Sequence, residues 1–312
     1  MAPALLLVSD WDETITCRDT LRLIAPHNSE IQNNTLPFQH YEDEYYKDQV
    51  AFKAQYGPVD SEAKLLDFVA KVAEAEQNTL NKVIEGGLFK NTKQADRRSR
   101  AHHVEFREGW SQVADFVRQH VQQDHMRMHV ISVNWSRRFI CDALVVRDGK
   151  EPCSCLQSDL RAICVADIHA NEIEQHMGQD TCTGRIVGPL PDEKPMLTGM
   201  DKRFILDAIK AKYSPAPLTL YVGDGLHDLP CLLDADVGIL MGDSPSLLDK
   251  LAKVGFSSNV RSLSEWQEAF RDSRPQCPSG LVHVQSWHEV LELIETLAGA
   301  LDGLQCLHQR DV

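Results

Sequence analysis

Five short apolar runs punctuate an otherwise mixed chain: Leu5-Leu6-Leu7-Val8, Met128-His129-Val130-Ile131, Ile163-Cys164-Val165, Leu218-Thr219-Leu220-Tyr221-Val222 and Val237-Gly238-Ile239-Leu240. Unbroken apolar runs of this length suit strands buried on both faces, as in a parallel sheet. Between them the spacing of apolar residues predicts helices over about 110–123, 136–147, 201–213, 227–234 and 245–254. Ser264-Glu265-Trp266 and Gln285-Ser286-Trp287-His288-Glu289 each open a further helix near the C-terminus. Strands alternating with helices predict an α/β fold built on a doubly wound parallel sheet.

The stretch from Cys17 to about Phe106 breaks that rhythm and carries no convincing strand. Leu65, Phe68, Val69, Val72, Ala73 and Ala75 recur at helical spacing, Asp60 or Ser61 is placed to cap that helix, and Gly86-Gly87 to end it. The expected division is therefore a helical segment, 17–106, inserted into an α/β domain of 1–16 and 107–312. Arg107 and Gly109 stand at the return and suit a hinge. Tyr41, Tyr45 and Tyr46 are expected mainly as packing between helices of the insert, with a substrate-facing wall as the other reading.

Composition narrows the functional classes. Apolar residues make up 43% and charged residues 25% of 312 positions, an ordinary globular balance. A net charge of −14 argues against nucleic acid, which needs a basic face. The short Arg97-Arg98-Ser99-Arg100 run is expected to be a solvated helix surface. No apolar stretch approaches the roughly 20 residues needed to span a bilayer, and no signal peptide is evident, so no membrane partner and a cytoplasmic location are expected. The nine cysteines are scattered; only Cys153 and Cys155 lie close, and reduced thiols are the expectation.

The chemistry concentrates at strand ends. The first strand runs into Asp10-Trp11-Asp12-Glu13-Thr14. In an extended segment Asp10 and Asp12 would point the same way, and two adjacent carboxylates repel unless a cation or a proton lies between them. The fourth strand runs into Gly223-Asp224-Gly225-Leu226-His227-Asp228. Ligands of open α/β sheets bind at the carboxyl ends of strands, so Asp10, Asp12, Asp224 and Asp228 can converge there. An all-oxygen set of this kind suits Mg²⁺. Ser132 ends another strand, followed by Asn134, and Thr198-Gly199-Met200-Asp201-Lys202 opens a helix. A lysine there would neutralise charge at the site. Lys202 is preferred to Lys194, which lies between Pro191 and Pro195 in a loop.

In this order the residues resemble the haloacid dehalogenase (HAD) superfamily of phosphatases. Its DxDx[TV] motif, strand-end Ser or Thr, lysine and GDGxxD motif correspond to Asp10–Thr14, Ser132, Lys202 and Gly223–Asp228. The resemblance covers most of the chain and points to the phosphoserine-phosphatase-like branch, near a poorly characterised fungal subgroup. It implies a Rossmann-like core with a helical C1-type cap after the first strand. It also implies an aspartyl-phosphate on Asp10, with Asp12 as general acid and base. Mg²⁺ would be held by Asp10, the Asp12 main chain and Asp224, with Asp228 supporting the metal shell or orienting Lys202. Thr14, Ser132 and Lys202 would bind the transferring oxygens. Glu13, where the family often has glycine, Asp19 and Asn134 are the candidate substrate contacts. For Asp19 a helix cap is slightly the favoured reading. Trp11, His27 and Trp135 are further candidates for the pocket wall. The expected partner is a small phosphorylated metabolite. The rival readings are a phosphotransferase or mutase on the same chemistry, and a catalytically silent binding protein.

Overall fold

Strand β1 (Leu5–Ser9) is buried at every position. Leu5 and Leu7 belong to one core and Leu6 and Val8 to another, so the two sides of the strand feed opposite faces of the sheet. That double burial explains why the run is continuously apolar rather than alternating. The computed structural model describes residues 3–308 apart from 33, 124, 148–166, 244, 257–258 and 274–275. The 163–165 run and the Cys153/Cys155 pair lie outside the described residues.

Seven strands form one sheet: β1, β2 (Met126–Ser132), β3 (Asp167–Ala170), β6 (Leu218–Gly223), β7 (Val237–Met241), β8 (Val260–Ser262) and β9 (Leu281–Val284). Their order is β3-β2-β1-β6-β7-β9-β8, and every pairing is parallel. Helices α6 (Trp110–Gln122), α7 (Arg137–Arg147), α11 (Leu263–Ser273) and α12 (Trp287–His308) supply one core. Helices α8 (Gly199–Lys210), α9 (Leu229–Asp234) and α10 (Pro245–Lys253) supply the other. This is the doubly wound α/β fold expected from the sequence. Strands β8 and β9 were not expected; they have three and four residues, and Arg261 and His283 interrupt their apolar pattern.

The inserted segment holds α1 (Leu21–Ile24), α2 (Phe38–Tyr56), α3 (Glu62–Lys71), α4 (Ala73–Glu85) and α5 (Gln94–Arg100), with no named strand among its described residues. One antiparallel bridge, Thr16 to Phe106, closes its base. The single helix expected after Ser61 is two, α3 and α4, meeting at Val72. Ser61 caps α3 by accepting from the Lys64 amide at 3.4 Å. The hairpin β4 (Glu172–Gln175) and β5 (Cys182–Val187) leaves the main sheet. It instead bonds to the segment, with Asn91 N donating to Cys182 O at 2.8 Å and Gln94 N to Asp180 O at 2.9 Å.

The arginine run is not a solvated surface. Arg97 and Arg100 are buried. Arg100 donates to Leu23 O at 2.7 Å and to Glu30 at 2.8 Å, while Arg97 donates to Thr92 Oγ1 and Cys182 Sγ. Arg98 lies 3.6 Å from Asp142 on α7. One face of α5 thus ties the insert to the hairpin and to α7, which a charge run read without its neighbours does not reveal. Arg100→Ala is expected to destabilise the protein by about 1.5–3 kcal/mol, the scale of a buried bond to a charged group. Urea unfolding checks this.

Candidate active site

Strand order places the chemistry. Because β1 lies between β2 and β6, their three carboxyl ends stand side by side, about 4.8 Å apart. Ser9 is level with Val130 and with Val222, so Ser132, Asp10 and Asp224 all project from one edge.

Lys202 sits at the centre. Only 1% of its side chain is exposed, and Nζ donates to Asp228 Oδ1 and pairs with Asp10 Oδ1, both at 2.8 Å. Burial works against its charge, but Asp10 and Asp228 outweigh burial and hold the ammonium above its ordinary range. Helix α8 aims this lysine. Its start is fixed by a capping box in which Thr198 Oγ1 accepts from Asp201 N and the Asp201 carboxylate accepts from Thr198 N. Lys194 is exposed in its loop and takes no part.

Asp228 accepts three hydrogen bonds. Lys202 and the Tyr221 hydroxyl donate to Oδ1, and Gly225 N donates to Oδ2 at 3.1 Å. These bonds tie it to the lysine and to the loop at Gly225. Gly223 makes this possible, because a Cβ there would overlap the Asp228 carboxyl group. Asp224 Oδ1 accepts from Thr14 Oγ1 at 3.1 Å, so the Thr14 hydroxyl is directed at Asp224. Burial, then Asp228, push the Asp224 carboxyl up to about 7. Burial, then Asp228, also raise Asp10 well above the carboxylate range, against the pull of Lys202.

The chain after Asp10 does not stay extended. Ile15 N and Thr16 N both donate to Trp11 O, which folds residues 11–16 into a tight turn. Asp10 and Asp12 are therefore held by different partners, rather than side by side as an extended segment would place them. Asp12 Oδ1 accepts from the Thr20 amide and hydroxyl, each at 2.7 Å, and Oδ2 accepts from Asn134 Nδ2 at 2.8 Å. Burial, then Asp19, push Asp12 up to about 7 despite these bonds. The turn also puts Glu13 at φ 57°, a left-handed conformation that glycine adopts more easily.

Asn134, expected as a substrate contact, spends its amide on Asp12, Thr20 Oγ1 and the Ser136 amide. Ser132 is buried and its Oγ accepts from Asn134 N, an acceptor role that leaves the hydroxyl proton to be donated. Asp19, one residue ahead of Thr20, the N-cap of α1, accepts from Leu21 N at 2.6 Å and also borders the cavity. Thr20 is the residue that sequence reasoning missed. Its hydroxyl accepts from Trp11 Nε1 and Asn134 and donates to Asp12, and no motif marks it.

Beside Asp12 lies a cavity of about 480 Å³ that Glu13, Asp19 and Asn134 also line. Tyr41, Tyr45 and Tyr46 all border it, so the trio forms a cavity wall as well as packing. Trp135 lines the cavity, Trp11 is fully buried and packs edge-on against Phe106, and exposed His27 is not among the lining residues.

Asp10, Asp224 and Asp228 offer oxygens that lie within 4.8 Å of one another. Three carboxylates against one ammonium leave an excess of negative charge, and an all-oxygen set fits a hard divalent cation. Asp10 and Asp224 each have one oxygen beyond those bonded to Lys202 and Thr14. A divalent cation is expected to raise the unfolding temperature by about 5 °C or more at saturation. Asp224→Asn should remove most of that rise, as measured by calorimetry.

The fold and the site together define a parallel α/β protein with a lysine-bridged acidic centre at its strand ends. No family model matches the chain. It is 23% identical over 250 residues to a CTO1 family protein of Schizosaccharomyces pombe, covering 80% of this chain and 86% of that one. It is 25% identical over 228 residues to the mitochondrial bifunctional TH2 protein of Arabidopsis thaliana, covering 70% of this chain but only 34% of that protein. A solved structure described as a phospho-aspartyl intermediate analogue of phosphoserine phosphatase aligns with a TM-score of 0.43 and 18% identity, over 80% of this chain and 91% of that one. No described helix is long and apolar enough to cross a membrane.

Proposed function

We propose that the protein is a Mg²⁺-dependent phosphatase of the HAD superfamily that hydrolyses a small phosphorylated metabolite. The observation that carries this reading is Lys202 Nζ, buried and 2.8 Å from both Asp10 and Asp228, with Asp12 held separately beside the cavity. These separate environments support one carboxylate acting as nucleophile and the other as acid, the division of labour that phosphoester hydrolysis needs.

An Asp10 oxygen attacks phosphorus, and the bond from phosphorus to the leaving oxygen breaks. Asp12 gives its proton to that oxygen. Asp12 is bonded by Thr20 and Asn134 and lacks the ammonium partner that favours ionisation of Asp10, so it is the better of the two to carry the proton. Asp12 then takes a proton from water, whose oxygen attacks phosphorus and releases Asp10 and inorganic phosphate. Lys202 and the Ser132 hydroxyl neutralise and orient the transferring oxygens. Asp10 and Asp224 would hold Mg²⁺, which would add further neutralisation of the phosphoryl charge. The 17–106 segment serves as the cap, and its closure excludes water from the leaving-group side.

Purified protein is expected to release phosphate from p-nitrophenyl phosphate with Mg²⁺ and not with EDTA. No release from this ester or from amino-acid, sugar, nucleotide and vitamin phosphates would reject the reading.

A further inference from the structure

The cavity beside Asp12 has two properties that phosphoryl transfer itself does not require. The first is its aromatic wall, where Phe38 and Trp135 join the three tyrosines. The Tyr45 and Tyr46 rings lie 5.8 Å apart, and Tyr46 is 65% exposed. The second is its charge. Asp19, Glu42 and Glu76 line it in addition to Asp12 and Glu13. Arg22 is the one lysine or arginine among the described lining residues, and its guanidinium lies 2.8 Å from Glu42. Glu76 accepts from neutral donors, Gln49 Nε2 at 2.8 Å and the Tyr45 hydroxyl at 3.4 Å. His227 Nε2 is 3.9 Å away. Burial pushes the Glu76 carboxyl up to about 7, the behaviour of a buried acid short of positive charge.

Building on the phosphatase reading, we infer that the substrate is the phosphate monoester of an alcohol carrying both a flat ring and a positively charged nitrogen. The ring lies on Tyr45, Tyr46 and Trp135, and the nitrogen faces Glu76 and Asp19. Aromatic faces attract cations through their quadrupoles, and a desolvated carboxylate gains most from a cation that replaces lost water. The cavity volume is in the range that holds a whole organic ligand. An amino-acid leaving group would leave much of it unfilled. A separate recess of about 210 Å³ shares Tyr45 and His227 and presents Lys53 and Lys250, so the test includes an anionic substrate as well.

Four esters are compared with the full chain and Mg²⁺: 2-(benzyldimethylammonio)ethyl phosphate, its carbon isostere 3,3-dimethyl-4-phenylbutyl phosphate, phosphocholine and 2-(4-carboxyphenyl)ethyl phosphate. The first is expected to exceed each of the others about tenfold or more in kcat/KM, mostly through KM. Glu76→Gln should cut its advantage over the isostere about threefold or more, and Tyr46→Ala, at an exposed ring, should cut its advantage over phosphocholine. Equal or better turnover of the isostere or of the carboxylate overturns the inference. Binding of the two product alcohols, benzyl(2-hydroxyethyl)dimethylammonium and 3,3-dimethyl-4-phenylbutanol, is measured by calorimetry in parallel. Preferred binding of the cation without turnover of any ester would reject the phosphatase reading and keep the ligand class. Turnover of p-nitrophenyl phosphate without preference for the cation in rate or binding would do the reverse.

Discussion

Asp10→Asn is expected to abolish phosphate release while leaving a folded protein that, without metal, is more heat-stable than the wild type. Loss of the proposed nucleophile should cost about three to six orders of magnitude in kcat. The stability gain follows from the sign of the Asp10 shift. Burial and the neighbouring Asp228 and Asp224 carboxylates raise its pKa, so the folded state disfavours the ionised form. Above the ordinary carboxylate range the unfolded chain loses this proton more readily than the folded one, and stability falls as pH rises. A neutral amide removes that penalty, and Lys202 keeps its bond to Asp228. Melting without metal at pH 8 and a phosphate-release assay with Mg²⁺ check the two halves. Substantial residual turnover would remove Asp10 as nucleophile, and a lower unfolding temperature would mean that the pairing with Lys202 outweighs the repulsion.

Lys202→Met is expected to have the largest effect on folding. The side chain is buried, and its loss leaves the Asp10 and Asp228 carboxylates facing each other without the ammonium between them. Breaking a buried ion pair from one side costs about 3–5 kcal/mol. Adding Asp228→Asn removes one orphaned charge and should recover part of the loss, which separates the electrostatic share from the packing share. Denaturant unfolding of the single and double variants measures both. A loss under about 1 kcal/mol in Lys202→Met would show that the lysine is not the counter-charge of this centre. Turnover should also vanish, because the nucleophile and the phosphoryl oxygens lose the same cation.

The sheet centre was legible because β1, β2, β6 and β7 are buried on both sides, and double burial writes an apolar run that needs no knowledge of neighbours. The acidic centre was legible for a related reason. Asp10 and Asp224 directly follow two such runs, so finding the strands also finds the site. Lys202 could be chosen over Lys194 because Thr198 and Asp201 spell out a helix start. Residues that act through partners distant in sequence left no such mark. Thr20 matters because Asn134 and Trp11 converge on it. Arg97 and Arg100 look like surface charge until Cys182, Leu23 and Glu30 are in place. The turn at Trp11–Thr16 overrode the extended geometry that alternating carboxylates predict, and that changed how Asp10 and Asp12 relate.

The first residue of α12 has a consequence for the order in which function arrives during synthesis. Trp287 Nε1 donates to Thr14 O at 2.9 Å, its backbone amide donates to Glu108 O, and its ring meets Trp110 at 4.9 Å. The turn that follows Asp10 and carries Asp12 is thus clamped by a side chain 273 positions downstream of Thr14. Its strand, β1, likewise waits for β2 and β6, which are made long after it. A ribosome-bound chain that has not yet displayed residue 287 therefore holds Asp10 and Asp12 without that clamp. Activity should switch on late and abruptly in translation, so the growing polypeptide stays chemically quiet until nearly all of this sequence has been made.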